Sequence, residues 1–209
     1  MKFALFIIIS SYLSAKTIYP VDSLLKSDKI SFLKKISIAP VSAWQRISYN
    51  TNMLNCQFYP SCSNYGAQAL RQYGFIKGSI IASDRITRCN PFAMNYHLDL
   101  QYPFNEEDGR LIDSINQKNI IQSSKSPLTA ALLSTILPGL GRAYSGRYWD
   151  GIMGFWSVYI AYSSAYFSIK NNKKIASPFM GITFTFIYFG EIYGAWRTAK
   201  YYQKSSLKN

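Results

Sequence analysis

The sequence predicts an all-α protein in which a small helical domain containing three cysteines is followed by a transmembrane helical hairpin. Apolar residues recur at three- and four-residue spacing through the first half of the chain, which is typical of amphipathic helices. All three cysteines lie in one block of that half. Two stretches of about 19 residues with at most one charge follow in the second half, and this length suits a membrane-spanning helix.

Composition narrows the choice of partners. The chain has 209 residues, a formal net charge of +13 and 17 tyrosines. Such a charge is compatible with anionic lipid or with nucleic acid, but the sequence contains no base-reading motif. Membrane phosphates beside the predicted spanning helices explain the charge better. The tyrosines also suit a membrane interface, where amphipathic rings are favoured.

Residues 1–15 predict a signal peptide. A lysine precedes an apolar run from Phe3 to Ile9, and small residues follow near Ala15, which is the order found in secretory signals. The run is too short to span a membrane. A shallow membrane anchor is the alternative interpretation.

The stretch from Lys26 to Ser48 predicts an amphipathic helix. Pro40 should kink or split it, because proline removes a backbone donor. Two interpretations stay open: a core helix with a solvated basic face, or a helix lying in an anionic membrane interface. Its apolar residues are Ile30, Leu33, Ile36, Val41, Trp44 and Ile47, and its basic residues are Lys29, Lys34, Lys35 and Arg46.

A helix is predicted from about Asn64 to Tyr73, directly after the second cysteine. Ser63 is a candidate N-cap, because a serine hydroxyl can accept a hydrogen bond from a free backbone amide. Gly74 should end the helix, since glycine tolerates the left-handed conformation common at that position.

The next helix is predicted from about Ile76 to Arg88, with Pro91 stopping it and with Ile76, Ile80 and Ile81 facing inward. Together the two helices form a hairpin that brings Cys62 and Cys89 to the same end. Asp84 and Arg88 are four residues apart, so we expect them to pair on the helix surface for a few tenths of a kcal/mol.

The rest of the sequence, residues 96–209, divides into three parts of different composition. Residues 96–127 predict a linker, because hydrophobic periodicity is lost there. Residues 128–196 predict a membrane domain with spanning helices near 151–169 and 178–196, and residues 197–209 form a basic tail.

The side of the membrane is left open. Six basic residues flank the predicted hairpin and three lie in its loop, which favours a cytoplasmic cysteine block. A cleaved signal peptide would instead export that block.

One acidic residue, Glu191, lies in the second predicted span. Ionisable groups inside a bilayer are costly, but the position near the end of the span favours solvation among headgroups. Gly190 and Gly194 form a G-x3-G pattern, for which packing inside the hairpin is a sufficient explanation.

No catalytic or metal centre is predicted. Cys56, Cys62 and Cys89, with His97 as a fourth group, could in principle bind zinc, but five and twenty-six residues separate the successive cysteines. Structural zinc sites usually contain closely spaced pairs. Buried thiols or one disulfide are favoured, and a Cys89–His97 nucleophile pair is a remote alternative. We therefore expect no enzyme and no cofactor.

The cysteine block, residues 26–95, resembles the YidD family of membrane protein insertion efficiency factors, also called the haemolytic domain family. The match covers roughly residues 30–95. It rests on a C-x-F-x-P-S-C-S-x-Y motif, a helix break at Tyr-Gly, a Lys-Gly pair and an Arg-Cys-x-Pro ending. The motif residues are Cys56, Phe58, Pro60, Cys62, Ser63, Tyr65, Gly74, Lys77, Gly78, Arg85, Arg88, Cys89 and Pro91.

This resemblance implies a small basic protein at the inner membrane that assists insertion of membrane proteins alongside the insertase and the Sec translocon, without catalysis or cofactor. The chain departs from the family pattern at Gln57 and Asn90, and a Gly- and Pro-rich tail after the third cysteine is missing. Leu137–Gly151 resembles the P-G-L-G opening of small two-helix transmembrane domains.

The sequence therefore predicts an integral protein of the bacterial cell membrane that acts as a non-catalytic accessory factor for insertion or assembly of membrane proteins. The alternative is an exported envelope protein with a structural or membrane-active role and no insertion activity. The client and the oligomeric and redox states are left open. The basic residues expected to contact headgroups or a client are Lys34, Lys35, Arg46, Arg71, Lys77, Arg85 and Arg88.

Overall fold

The computed structural model describes residues 19–49, 56–115 and 124–202, and these are mostly helical, as predicted. The predicted signal peptide and the end of the basic tail lie outside this part. Within it, the elements in chain order are α1 (Pro20–Lys26), α2 (Phe32–Ser48), β1 (Phe58–Tyr59), α3 (Cys62–Tyr73), α4 (Phe75–Arg88), α5 (Ala93–Asp99), β2 (Leu111–Ile112), α6 (Pro127–Ile136), α7 (Leu140–Tyr144), α8 (Tyr148–Lys170) and α9 (Ala176–Tyr201).

Helix α2 is amphipathic, but most of its apolar stripe faces outward. Leu33 is 78% exposed and Ile47 is 60% exposed. The buried face carries Ile38 together with polar residues, among them Gln45. Pro40 lies inside the helix without splitting it. Of the apolar residues predicted to line the helix, Val41 packs with Ile38 against the core, whereas Leu33, Ile36, Trp44 and Ile47 are exposed, so the core-helix interpretation holds only for a small part of the stripe.

The buried side chain of Gln45 explains why a polar face can turn inward. Its Oε1 accepts a hydrogen bond from Val21 N at 3.2 Å, and its Nε2 donates to Asn64 Oδ1 at 2.8 Å and to Ser63 Oγ at 3.1 Å. One amide thus joins α1, α2 and α3. Because its polar groups are satisfied, its burial is tolerated.

Helices α3 and α4 form the predicted hairpin. Gly74 ends α3 with φ of +78°, as expected. Ser61 caps the helix instead of Ser63, since its Oγ accepts from Asn64 N at 3.4 Å. Ile81 is buried, whereas Ile76 is 69% exposed, so the inward placement of Ile76 was wrong.

The stretch predicted as a linker contains structure that packs on the cysteine block. Strand β2 pairs in parallel with β1, with Phe58 opposite Leu111. These two residues form a small core with Ala93 of α5. The described residues between 96 and 115 therefore extend this block.

Helices α8 and α9 contain the two predicted spans and pack against each other. In the described part of the chain, no helix combines the length and the apolarity that crossing a membrane requires. The predicted transmembrane hairpin is therefore not supported. Both segments carry hardly any charge, but their tyrosines, serines, threonines and glycines lower the mean hydropathy.

Helix α9 also packs closely on α4, which joins the two halves of the molecule. A Cβ at Gly190 would lie 2.5 Å from Ser83 Cβ, and a Cβ at Gly194 would lie 2.3 Å from Asp84 Oδ1. The G-x3-G pattern therefore serves close packing against α4 of the cysteine block, where packing inside the hairpin was expected.

Candidate functional site

Three thiols meet at one end of the α3–α4 hairpin. Cys56 precedes β1, Cys62 is the first residue of α3, and Cys89 follows the last residue of α4. All three are free. Their Sγ atoms lie within 4.8 Å of one another, and those of Cys56 and Cys62 are 3.4 Å apart.

The three sulfur atoms have unequal surroundings. Hydrogen bonding with the Cys62 and Cys89 thiols and with backbone amides, the Cys62 amide among them, holds the pKa of Cys56 well below its ordinary value. The hydrogen bond to Cys56, together with burial, raises the pKa of Cys62. The contact between Cys56 and Cys62 therefore shifts the pKa values of the two thiols in opposite directions.

A buried carboxylate, Asp84 of α4, collects three guanidinium groups. Its oxygens lie 3.0 Å from Arg88 Nε, 2.8 Å from Arg142 Nη2 and 3.7 Å from Arg197 Nη1. Asp84 is 1% exposed. Burial alone would raise the pKa of Asp84, but the three arginines outweigh it and keep the group ionised.

Asp113 repeats this arrangement beyond β2. It pairs with Arg88, with Arg85 Nε at 3.5 Å and with Arg197 Nη2 at 3.6 Å. Burial opposes ionisation of Asp113 too, and the attraction of the arginines, Arg88 first, lowers its pKa below the ordinary range. Arg88 and Arg197 therefore bridge both carboxylates.

The network continues into the C-terminal helices. Arg142 of α7 donates from Nε to Glu191 Oε2 of α9 at 2.7 Å. Burial raises the pKa of Glu191 to about 7 against the opposing effect of Arg142. Beside them, Arg147 Nη2 lies 2.6 Å from Asp150, which also accepts from Asn90 at 2.6 Å.

The P-G-L-G segment shapes the backbone around Glu191. Gly139 has a φ of +89°, a left-handed backbone conformation that residues other than glycine rarely adopt. Its amide donates to Glu191 Oε1 at 3.1 Å. This hydrogen bond joins the turn before α7 to the acidic residue of α9.

Several predicted roles change with this geometry. The Asp84–Arg88 pair is buried and not on the surface. Arg85 and Arg88, expected to contact headgroups or a client, belong to the buried network. Glu191 is buried against Arg142 and does not lie among headgroups as a solvated group. The sequence feature that could have predicted this network is the presence of charged residues within apolar segments.

The other predicted contact residues lie at or near the surface. Arg71 and Lys77 are exposed on either side of the Gly74 turn, at the tip of the hairpin. Lys34 and Lys35 are half-buried, and Arg46 is exposed and pairs with Asp22 at 3.0 Å.

The family-motif residues have mainly structural positions. Arg85 stacks over Phe58, with its Cζ 3.6 Å from the ring centroid, and lies 5.0 Å from that of Tyr65. Pro60 O accepts from Arg85 Nη2 at 3.3 Å. Gly78 allows α4 to approach the backbone of α3 closely. Pro91 follows α4 and is exposed.

Fold and site together define a class: an all-helical protein in which a three-thiol helical hairpin is joined to further helices by a buried ion-pair network. The chain belongs to the YidD family, described as "Putative membrane protein insertion efficiency factor", whose profile matches residues 33–99. The matched range ends before α6.

Curated relatives bear the same description. The protein of Listeria monocytogenes serotype 4a is 40% identical over 60 residues, which are 29% of this chain and 68% of the relative. That of Thermoanaerobacter pseudethanolicus is 40% identical over 60 residues, or 87% of its length. That of Oleidesulfovibrio alaskensis is 44% identical over 59 residues, 28% of this chain and 69% of the relative. No solved structure is significantly similar.

Proposed function

We propose that this protein is a membrane-associated accessory factor that assists insertion or assembly of membrane proteins in the bacterial cell membrane and catalyses no covalent reaction. The family description names the process. The observation that carries the membrane contact is the apolar and aromatic surface left exposed on α8 and α9.

Single apolar residues scattered over a protein surface are normal. The many apolar residues exposed on α8 and α9 instead indicate a contact surface. Tyrosine and tryptophan rings contribute to it, and such rings favour the boundary between headgroups and acyl chains. An interfacial position of the hairpin follows from this composition. Its exposed residues include Trp156, Tyr159, Ile160, Phe167, Phe179 and Ile182.

Helix α2 offers a second surface of the same kind. Leu33, Ile36 and Ile47 are exposed along it, and Lys34 and Lys35 lie beside them. Exposed apolar side chains next to lysines are typical of helices that bind anionic membrane surfaces, because the apolar groups insert while the ammonium groups meet phosphates.

A client or translocation partner would meet the exposed tip of the α3–α4 hairpin. Arg71 and Lys77 are exposed there, near the end of α3 and the start of α4. The insertase and the Sec translocon are the partners that membership of the family suggests.

An insertion assay in cells tests the proposal. Depletion of the protein should slow integration of a labelled membrane client, and the wild-type chain should restore it. The double variant Leu33→Ser/Ile36→Ser should restore it less, because the α2 surface loses apolar area. Ala39→Ser/Ala43→Ser, at exposed positions of the same helix, is the matched control. Unchanged integration after depletion would overturn the proposal.

Membrane contact can be measured separately. The purified chain should float with vesicles that contain anionic lipid, and L33S/I36S should float less than A39S/A43S at equal ionic strength. Labelling of the cysteines in intact cells with an impermeant thiol reagent would establish the side on which the domain lies. The proposed contact would be contradicted if the wild-type chain floated equally well with vesicles that lack anionic lipid and if L33S/I36S floated as well as the wild type.

A further inference from the structure

Three separate chain segments meet at sulfur in the cysteine cluster. The segment before β1, the start of α3 and the end of α4 each contribute one thiol, and all three Sγ atoms lie within 4.8 Å of one another. Zinc–sulfur bonds of about 2.3 Å place two ligands of a tetrahedral site about 3.8 Å apart. The 3.4 Å between Cys56 and Cys62 is close to this spacing, so small side-chain movements suffice to enclose an ion.

We propose that Cys56, Cys62 and Cys89 form a zinc site with three thiolate ligands, whose fourth position is held by water. Among the described residues, no further His, Cys, Asp or Glu offers a ligand atom within the same distance of all three. His97, the only histidine, is engaged elsewhere, with Nε2 2.9 Å from the Pro103 carbonyl oxygen.

The start of α3 places backbone donors and partial positive charge beside the cluster. The Cys62 amide, at the start of α3, donates to Cys56 Sγ at 3.3 Å. Cys62 is also the first residue of a twelve-residue helix, where the partial positive charge of the helix terminus stabilises an anion. Gln57 Nε2 lies 3.9 Å from Cys89 Sγ and donates to the Asn90 carbonyl oxygen at 2.8 Å. Such outer contacts hold metal ligands in orientation.

The charge of the neighbouring network complements the proposed site. Five buried or half-buried arginines in it face four carboxylates, which leaves at least one positive charge in excess, and more where Glu191, whose pKa is about 7, is protonated. Zinc bound by three thiolates carries one negative charge. The participants are Arg85, Arg88, Arg142, Arg147 and Arg197 with Asp84, Asp113, Asp150 and Glu191.

Arg85 is the arginine that connects the two systems. Its side chain is fully buried, and its positive charge acts on Cys62. Its Nη1 has no hydrogen-bond partner within the described residues. An anionic metal–thiolate centre would give Arg85 a second countercharge besides Asp113, whose Oδ2 lies 3.5 Å from Arg85 Nε.

A metal ion bound by the three cysteines would cross-link separate segments of the fold. It would link β1, α3 and α4 beside the small core of Phe58, Ala93 and Leu111, and small domains commonly use metals in this way. Because the ligands are brought together only in the folded chain, the binding free energy would add to folding stability.

The test uses the full chain, reduced and stripped of metal under anaerobic conditions. Titration with Co²⁺ should give one equivalent per chain with an intense thiolate-to-cobalt charge-transfer band, and Zn²⁺ should displace it. X-ray absorption of the zinc form should show three sulfur ligands at about 2.3 Å and one lighter ligand at about 2.0–2.1 Å. Zinc should also raise the thermal unfolding midpoint.

Single variants Cys56→Ser, Cys62→Ser and Cys89→Ser should each weaken binding at least tenfold, whereas His97→Gln should bind as the wild type does. Where circular dichroism shows that a variant is unfolded, the X-ray absorption of the wild-type chain decides. Absence of the charge-transfer band in the reduced wild type would overturn the proposal. So would nitrogen or oxygen coordination alone, loss of binding in H97Q, or a Cys56–Cys62 disulfide in a chain that binds no metal once reduced.

Discussion

Substitution of Asp84 by Asn would remove one charge from the centre of the buried network at almost constant volume. Arg88, Arg142 and Arg197 would lose the carboxylate that now lies 2.8–3.7 Å from them. Removal of one partner from a buried ion pair costs about 3–5 kcal/mol, because the remaining charges stay desolvated. That loss is a large fraction of the roughly 5–15 kcal/mol that stabilises a typical domain.

Urea unfolding followed by circular dichroism measures this loss. D84N should shift the midpoint strongly toward lower urea, in proportion to the free energy lost. Asp108→Asn is the matched control, because Asp108 pairs with Arg110 at 2.6 Å on the surface. Exposed pairs contribute little, so the control should unfold at nearly the wild-type midpoint.

A double-mutant cycle locates the origin of the effect. Arg142→Gln in the D84N background should cost less than Arg142→Gln alone, because the arginine has already lost one of its carboxylates. The reasoning would be refuted if D84N shifted the midpoint no further than D108N. Strict additivity of D84N and R142Q would show that Asp84 of α4 and Arg142 of α7 do not interact.

Three further changes test the packing and the charges. Gly194→Ala should lose about 1–3 kcal/mol of stability by overpacking, because its Cβ would lie 2.3 Å from a carboxylate oxygen. The control Gly181→Ala, whose Cβ would have no neighbour within 4 Å, should gain about 0.5–1 kcal/mol in urea unfolding. Equal effects of the two substitutions would contradict the close packing of α9 on α4. The pKa of Glu191 is about 7 in the folded chain against an ordinary value of 4.5, so the folded form binds more protons between these pH values. The contribution of Glu191 to the unfolding free energy therefore falls as pH rises through this interval. Glu191→Gln should flatten the dependence of the unfolding free energy on pH there, and an unchanged dependence would show that Glu191 is not its origin. Gln45→Ala should cost about 1–3 kcal/mol by leaving buried polar groups unpaired, and exposed Gln72→Ala should change the midpoint little.

Local signals were sufficient to predict the helices of the cysteine block. Hydrophobic spacing located α2, α3 and α4, and Gly74 marked the turn between α3 and α4, because only a residue tolerant of positive φ fits there. The same hairpin geometry brought Cys62 and Cys89 to one end. The position of Cys56 beside them depends on β1 and its pairing with β2, which short, two-residue strands do not reveal in a sequence.

The orientation of α2 was beyond such reasoning. Periodicity shows that a helix has two different faces, but not which face meets the rest of the protein. Here Gln45 decides the orientation, since its amide satisfies groups on α1 and α3. Those partners are about 20 residues away along the chain, and no spacing rule connects them.

The buried network was missed for a related physical reason. Most charged pairs four residues apart lie on helix surfaces, and an acid in an apolar segment is commonly solvated at its end. Asp84 and Glu191 depart from both expectations because Arg142 lies between them, 58 residues from one and 49 from the other. Only the folded arrangement shows that each of these charges makes the burial of the next one possible.

That interdependence bears on where the functional unit ends. The family profile stops at residue 99, yet Asp84 inside it relies on Arg142 and Arg197 beyond it. A fragment ending at residue 99 would leave this carboxylate with Arg88 alone and would uncover the face of α4 that α9 now covers. In this chain the cysteine block and the C-terminal helices are therefore best understood as one stability unit, in which the α8–α9 surface proposed for membrane contact is held rigidly against the hairpin that carries the thiols.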